Sequence, residues 1–435
     1  MITSVIGRTF LDAYNGKYKK QFTPKEFFEE EYWELFYNHP KYLLTVTNSP
    51  FDQGYKQKRH LTEVGRKRDL SDFKEKISLG KPDASIYPGA PASEQKKFAM
   101  TSGLVSDVRI PMSEEEVYLS WIGSGLGIGV GAYSILFDNA EITLQLYEGW
   151  KIYRRYLSDL SLEKLRANQI NSWNGQWLTY SMGKEFREDF DFTNLADQGI
   201  FKVDTSLIEV VTVKWSQLFF SLSLKFPKAE MIGYVYDGFV NTNKTVGFIP
   251  FQFKSGEKIK EVYQKLFGNI PIDKNKFENL FGIRFHEACK LGSVGIQALR
   301  PDSLKKYMKE DKNLSFKKEE ELINYQAYKT WLVAMLTKNK EEITDYTLEM
   351  ADVILRYRNT GKGNSRITLV EKELFTSKSK KGFIESLTLI LPDLENEDLK
   401  RLKTLKDEIH LMTNEEFGYF IALLKFDYAF IQKRP

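Results

Sequence analysis

Residues 121–132 read WIGSGLGIGVGA, and residues 168–177 read NQINSWNGQW. The first stretch places a glycine at every second position from Gly123 to Gly131. The second combines a series of side-chain amides with Trp173 and Trp177. Neither stretch supplies an acid, a base or a set of metal ligands. Both supply accessible backbone, side-chain amides and aromatic rings. Such groups are more typical of a surface that binds a polymer than of a catalytic site.

The glycine run has three interpretations. Because glycine lets backbone N–H groups approach an anion, the run suits a mononucleotide site or contact with a nucleic-acid backbone. However, residues 127–132 fit only the loose G-x-G-x-x-A pattern, no Walker lysine is present, and residues 133–137 are typical of a strand. The third interpretation is packing, either in a strand or in a kinked helix lying tightly against a neighbour.

The amide block has two interpretations. Asn and Gln side chains can donate to and accept from base edges in either groove of DNA. Alternatively, the block ends a helix, its amides satisfy loop backbone, and its two indoles anchor the core.

The surrounding sequence predicts an α+β fold, with a mixed α/β N-terminal domain of short sheets followed by an all-α C-terminal helical bundle. Thr23, Pro24 and Glu26 are typical of a helix start, with Thr23 as the cap. Beyond that helix we expect a strand at 42–47, strands around the glycine run within 104–147, and a helix over 148–176 that ends near Gly175.

A second β-rich region is expected from about 203 to 253. Strands at 231–240 and 246–253, joined by a turn at 241–244, are typical of a hairpin. Pro250 cannot donate to a ladder, so the second strand is expected at a sheet edge or a bulge.

After about Ser315 the pattern predicts helices over 316–358, 367–391 and 396–432, packed as a bundle. We therefore expect a nucleic-acid or motif-reading domain at 1–312, with a sub-boundary near 200, and a helical domain at 313–435.

Composition excludes several classes of protein. The 435 residues carry a net charge of only +4, so a uniformly basic coat is excluded and any nucleic-acid surface is local. Cys289 is the single cysteine, which excludes a disulfide framework and a CxxC zinc site. With no long apolar run and no recognisable signal peptide, we expect a cytoplasmic protein that does not enter a membrane.

Two segments are locally basic. The first is framed by Gly54 and Gly65, and the second contains the glycine-bearing loop 360–366. Each suits a phosphate backbone, and each is equally compatible with an ordinary solvated surface. Their basic residues are Lys56, Lys58, Arg59, Arg66, Lys67 and Arg68 in the first, and Arg356, Arg358, Lys362, Arg366, Lys372, Lys378, Lys380 and Lys381 in the second.

The sequence predicts no catalytic residue, no metal site and no cofactor. Its four histidines lack metal-ligand spacing, and neither GxSxG nor HExxH occurs. His286, Glu287 and Cys289 lie close in sequence, but this grouping is more typical of chance than of a site.

Four segments, 98–104 (FAMTSGL), 121–129 (WIGSGLGIG), 146–150 (LYEGW) and 170–177 (INSWNGQW), resemble the large subunit of a type I CRISPR surveillance complex, Cascade, of the I-A/I-B kind. The two-part plan extends the resemblance to most of the chain. Several members of that family carry CxxC metal motifs, and this chain does not, so no zinc role is carried over.

The resemblance implies a non-catalytic protein at the crRNA 5′ handle, beside the backbone and handle-capping subunits. Such a subunit reads the protospacer-adjacent motif in double-stranded target DNA, aids strand opening and recruits a helicase-nuclease transiently. Mapped onto this sequence, the basic residues of 56–68 would contact duplex phosphates. Base edges would be read by Asn168, Asn171, Asn174 and Gln176, and the displaced or target strand would be held by Arg356, Arg358, Lys362 and Arg366.

Some members of the family also yield a separate small subunit from an internal start, for which Met308 is the candidate here. Two other hypotheses remain open. One is a stand-alone nucleotide-binding enzyme that uses Gly123–Gly131, and the other is a scaffold that binds only proteins.

Overall fold

A computed structural model describes residues 1–46, 49–78, 113–183, 199–237, 246–268, 277–301, 319–337, 345–361 and 364–432. Contacts divide the chain into a first unit, Met1–Lys254 with Phe285–Gly295, and a second unit, Ser255–Arg284 with Ile296–Pro435. The chain thus runs from the first unit into the second, returns to the first for a short segment, and ends in the second. The domain boundary expected at 312 and 313 lies outside the described residues and stays a prediction.

The chain has the expected α+β fold, and its first unit opens with helices. The apolar residues Ile6, Phe10 and Tyr14 of the first helix are buried. In order, the helices are α1 (Ile2–Tyr18), α2 (Pro24–Phe27), a π-helical turn (Phe28–Tyr32), α3 (Trp33–Phe36), α4 (Pro50–Lys56), a 3-10 turn (Arg59–Leu61), α5 (Glu63–Ser78) and α6 (Glu114–Gly125).

The helix start predicted at Thr23 is confirmed. The Thr23 hydroxyl accepts the Glu26 N–H at 3.3 Å, and the Glu26 carboxylate accepts the Thr23 N–H at 2.7 Å. These two bonds satisfy backbone donors that no helical carbonyl can reach. The aromatic residues that follow, including Phe27, Phe28 and Tyr32, are fully buried.

The strand predicted at 42–47 is wrong, because the described residues 42–46 form a loop. The Leu43 N–H donates to Phe36 O at 3.1 Å, and the Tyr42 hydroxyl bonds to Asp69 at 2.9 Å. The loop is therefore held by helices α3 and α5 without a sheet partner.

The glycine run begins in α6 and continues into β1 (Ile128–Val130) and β2 (Tyr133–Phe137). Strands near the run are therefore confirmed, although Gly123 and Gly125 belong to a helix. The single helix expected over 148–176 is wrong, since α7 (Ala140–Ser158) ends well before α8 (Ile170–Ser181). At the break, Asp159 takes an extended backbone and accepts the Ser161 N–H at 2.8 Å.

The predicted hairpin is confirmed. Strands β5 (Glu230–Asp237) and β6 (Gly247–Gln252) pair in antiparallel fashion, and their four-stranded sheet has the order β1–β2–β5–β6. Pro250 therefore lies on an edge strand, as expected. The turn at 241–244 lies outside the described residues. Preceding this hairpin are β3 (Phe201–Val203), β4 (Ile208–Val210) and α9 (Trp215–Lys225), so the region from 203 is not uniformly β.

From residue 319 onward, the described part of the chain contains helices and turns only, which confirms the helical C-terminal region. The three predicted helical stretches are each divided. The elements after β6 are α10 (Lys254–Phe267), β7 (Phe281–Ile283), α11 (Phe285–Leu291), β8 (Leu299–Pro301), α12 (Glu319–Leu336), α13 (Tyr346–Thr360), α14 (Ser365–Thr368), a π-helical turn (Leu369–Leu374), α15 (Lys380–Ile390), a 3-10 turn (Leu391–Asp393), α16 (Asn396–Leu411) and α17 (Asn414–Gln432).

Candidate nucleic-acid interface

The first half of the glycine run lets two helices cross at close range. A methyl group on Gly123 would lie 1.9 Å from Thr3 O, and one on Gly7 would lie 2.0 Å from Leu119 O. Side chains at these two positions would collide with backbone, so α6 packs on α1 through bare glycine. A buried hydrogen bond of 2.8 Å between the Thr3 and Ser120 hydroxyls joins the same crossing.

The second half of the run lets β1 lie against α8. A Cβ on Gly129 would meet the Asn171 carbonyl carbon at 2.8 Å, and one on Gly175 would meet Gly129 O at 2.2 Å. Gly131 adopts a positive φ of 57°, and its N–H donates to Val213 O at 2.9 Å. The structure therefore accounts for the run by close packing, which was one of the interpretations that the sequence left open.

The amide block occupies the start of α8, with Asn174 at its centre. Asn174 is fully buried, and its Nδ2 donates to Gly125 O at 2.7 Å and to Gly127 O at 2.9 Å. These carbonyls lie where α6 ends and the chain turns into β1, and neither has a helical donor. Asn174 thus joins α8 to the glycine run.

The other three amides are more accessible. Asn171 Nδ2 is 3.4 Å from the Ser134 hydroxyl, and Gln176 Nε2 donates to Val211 O at 2.6 Å. Asn168 is exposed, and its Nδ2 lies 3.0 Å from the Thr45 hydroxyl. Of the four candidates for base reading, Asn168 is therefore the most exposed, and a base edge would have to replace its bond to Thr45.

Two indoles complete the packing of α8. Trp173 Nε1 donates to Gly149 O and Trp177 Nε1 donates to Gln145 O, both at 2.7 Å. Both rings are buried and near-parallel. They hold α8 on α7 and leave no flat face for a base to stack on.

Arg59 and Arg66 shape the first basic segment. The Arg59 guanidinium lies 2.6 Å from the fully buried Asp69 carboxylate. Burial raises the Asp69 pKa, and its bonds from Tyr42 and Arg59 oppose that shift. Arg66 donates to His60 O at 3.1 Å and to Asn38 Oδ1 at 3.3 Å. Both arginines hold α4, α5 and the preceding loop together.

The remaining cations of this segment point outward, and we name Lys56, Lys58, Lys67 and Arg68 the basic corner. Lys56 pairs with Asp52 at 2.7 Å, Lys67 with Glu63 at 2.6 Å, and Arg68 lies 3.9 Å from Asp72. Lys58 is exposed and stands in the left-handed region with φ of 58°. Exposed pairs of this kind contribute only ~0–1 kcal/mol, so they exchange readily for other anions.

Large apolar side chains are exposed within the same segment. Val64 is 80% exposed, Leu61 55% and Tyr55 48%, and the Tyr55 ring stacks on His60 with centroids 4.3 Å apart. The basic corner thus combines outward cations with an aromatic ring and two aliphatic side chains that the first unit leaves uncovered.

The second basic segment is largely neutralised within its own unit. Arg356 pairs with Asp352 and with Asp398, the latter at 2.8 Å, and Arg358 lies 3.7 Å from Glu371. Arg366 bonds to Asp393 at 2.8 Å and lies over the Tyr357 ring at 4.5 Å. Lys362 lies outside the described residues, as do Met308 and the segment 98–104.

Sequence reasoning missed a cluster around His39. Arg154 of α7 donates from Nε to Leu35 O at 2.6 Å and from Nη1 to Lys41 O at 2.9 Å. Lys41 Nζ donates to Glu163 O at 2.7 Å, and His39 Nδ1 accepts the Lys41 N–H at 3.0 Å. No local sequence signal connects Arg154 with a loop more than a hundred residues earlier.

Within the described ranges, no three His, Cys, Asp or Glu side chains come close enough to hold a metal ion. Cys289 is exposed on the short helix α11. None of the described helices has the length and apolar character needed to cross a membrane. No family model, no curated protein and no solved structure matches this chain.

Proposed function

We propose that this chain is a non-catalytic nucleic-acid-binding protein, the large subunit of a crRNA-guided surveillance complex of the Cascade kind. In this role it contacts the crRNA 5′ handle and reads the protospacer-adjacent motif in duplex DNA. It then aids strand opening and recruits a helicase-nuclease. Its other partners are the backbone and handle-capping subunits and a small subunit, for which Met308 is the candidate start.

The observation that carries the proposal is the basic corner. Lys58, Lys67 and Arg68 are exposed beside Leu61 and Val64, in a segment whose backbone is fixed by the bond from Arg59 to Asp69. Cations next to exposed apolar side chains suit a duplex, since the cations take phosphates while apolar groups press on base steps.

The glycine run gives no support to the alternative of a nucleotide-binding enzyme. At Gly123, Gly127 and Gly129, backbone or side-chain atoms lie within 3 Å of the position that a methyl group would occupy, so protein atoms already fill the space on that side of each glycine. Of the four amides, Asn168 is the favoured reader of a base edge, because it is exposed just before α8 begins.

Salt-dependent binding of labelled duplex DNA to the full chain tests this proposal. Replacing Lys58, Lys67 and Arg68 by Gln should lower the slope of log affinity against log salt by about 0.9 for each phosphate that the protein no longer neutralises. The matched control replaces Lys400, Lys403 and Lys406, which are exposed along α16, and should leave the slope unchanged. Equal slopes for both triple variants would refute a role for the basic corner.

Membership of the complex needs a separate measurement. The full chain should co-purify with crRNA when it is expressed together with the backbone subunits, and removal of the crRNA should weaken that association. If the chain binds duplex DNA but does not join the ribonucleoprotein, the proposal of nucleic-acid binding stands and the proposal of membership in a Cascade complex is refuted.

A further inference from the structure

Three cations converge on His39 and form what we name the His39 cluster, with Lys41, Arg66 and Arg154 as its members. Their hydrogen bonds end on the backbone carbonyls of Leu35, Lys41, His60 and Glu163 and on the Asn38 amide. Within the described part of the chain, none of the three donates to a carboxylate. Arg154 Nη2 is moreover buried without an acceptor. Among the described residues, no carboxylate therefore forms an ion pair with the cluster.

The protonation equilibria of the cluster reflect this excess of positive charge. Burial lowers the pKa of His39 to about 4, and the Arg154 charge adds to the shift. The charges of Lys41 and Arg66 also lower the His39 pKa, whereas the bond from the Lys41 backbone N–H opposes the shift. Burial also lowers the pKa of Arg154 to about 9 and lowers that of Lys41. Desolvated cations at close range are costly, and a bound anion would offset that cost.

A shallow cleft of about 440 Å³, widely open to solvent, lies next to the cluster and is lined by Arg154, Arg155, Ser158 and Asp159. Arg154 belongs to both, and it lies near the C-terminal end of α7, where the helix dipole favours cations. Among the described residues, the carboxylates nearby include Asp159, Glu163 and Glu34, the last of which accepts from the Asn38 amide. Asp159 accepts from the backbone and hydroxyl of Ser161, and the exposed Glu163 side chain only partly offsets the shift of Lys41.

We propose that this cleft binds a phosphate group, with Arg155 as its direct cationic contact and with Lys41 and Arg154 as neighbouring charges. Phosphate suits the site because the guanidinium of the exposed Arg155 can bond two of its oxygens at once, and the Lys41 ammonium supplies a further point charge. The site itself stands on the geometry of the His39 cluster. Its source of phosphate rests on the proposed function, in which a nucleic-acid strand supplies either an internal phosphodiester or a terminal phosphate.

The imidazole resonances of His39 in the full chain provide the direct test, assigned by their loss in His39→Asn. Inorganic phosphate should raise the His39 pKa by about 1 unit or more, because an opposite charge arrives within a few ångströms. Equimolar chloride should leave the His39 pKa unchanged. Lys41→Gln and Arg155→Gln should weaken phosphate binding at least several-fold, while the control Lys74→Gln, a paired surface lysine, should not.

Arg154 holds the loop in place, so Arg154→Lys enters the test only if its unfolding midpoint matches that of the unmutated chain. No response of His39 at about 10 mM phosphate, where even a ~1 mM site is nearly full, would overturn the proposal. The proposal would also be overturned if the Lys41, Arg155 and Lys74 variants lost phosphate affinity to the same extent.

Competition distinguishes the two sources. A 5′-phosphorylated oligonucleotide that displaces phosphate more strongly than its unphosphorylated form identifies a terminal phosphate, and equal displacement identifies the strand backbone. Displacement by neither restricts the site to free phosphate. Loss of duplex binding in the basic-corner variant with phosphate binding intact separates this site from the proposed function.

Discussion

The Lys329 ammonium lies 2.8 Å from the Asp427 carboxylate in the interior of the second unit, where both residues are at most 5% exposed. Asp345, at the start of α13, lies 2.9 Å from the same ammonium, and the Tyr325 hydroxyl bonds to Asp427 at 3.1 Å. One buried cation thus joins α12, α13 and α17. Burial raises the Asp427 pKa, and the charge of Lys329 opposes that rise.

Lys329→Met should destabilise the chain by about 3–5 kcal/mol, because it leaves two carboxylates without their cation. Urea unfolding monitored by circular dichroism measures the loss. The double variant Lys329→Met with Asp427→Leu should regain part of it, since one unpaired charge is removed. Lys381→Met, at a lysine whose side chain is 85% exposed, is the control and should stay within about 0.5 kcal/mol. Similar losses in the Lys329 and Lys381 variants would contradict the buried role.

Gly123→Ala should destabilise the first unit by about 1–3 kcal/mol or more, because the new methyl meets Thr3 O at 1.9 Å and the helices must move apart. Gly16, within α1, is the matched control, since nothing lies within 4 Å of its Cβ position. Gly16→Ala should instead stabilise by about 0.5–1 kcal/mol through helix propensity. Unfolding midpoints of the two variants should therefore shift in opposite directions. If Gly123→Ala also stabilises, the crossing of α1 and α6 is looser than described.

Local rules identified the parts of the fold that depend on neighbours in sequence. The Thr23 cap needs only Glu26, and the edge position of Pro250 follows from its missing N–H. The end of α7 was missed because buried apolar residues such as Leu165 continue the periodic pattern past the break at Asp159. Apolar spacing alone does not report a residue that leaves the helical backbone conformation.

Distant partners decide most of the candidate site, and no local rule reaches them. A glycine in the sequence indicates that another element can approach closely, but not which one. For Gly123 the structure shows that the neighbour is Thr3 of α1. Arg154 and Lys41 stand 113 residues apart, and the loop between α3 and α4 brings them together. The sequence did locate the exposed cations of the basic corner, because the charge run is itself local. The sequence could not show that Arg59 has a structural role different from those cations, because its partner Asp69 becomes buried only in the folded chain.

Asn174→Ala should cost about 1–3 kcal/mol of stability, because the carbonyls of Gly125 and Gly127 lose their buried donor. Asn168→Ala should leave stability within about 0.5 kcal/mol, since its amide is exposed. Under the proposed function, Asn168→Ala should also reduce discrimination among motif sequences by about 1–3 kcal/mol. Chemical unfolding and competitive duplex binding measure the two effects. If the Asn174 variant were stable and lost discrimination among motif sequences, Asn174 would contact the bases and its role would not be structural.

Acidification should destabilise the first unit through His39, whose neutral imidazole accepts the Lys41 N–H beside Arg154. Its pKa falls from 6.5 in the unfolded chain to about 4 in the folded one, so between these values the unfolded state binds more protons. Stability is therefore full above pH 6.5 and is lost as the pH falls towards 4, by about 2 kcal/mol after allowance for partial exposure. His39→Asn should flatten the unfolding free energy over that interval relative to the unmutated chain, whereas the exposed His286→Asn should not. Parallel profiles for all three proteins would mean that the pKa of His39 is the same in the folded and unfolded chains, and the positive field of the His39 cluster would then be weaker than its geometry indicates.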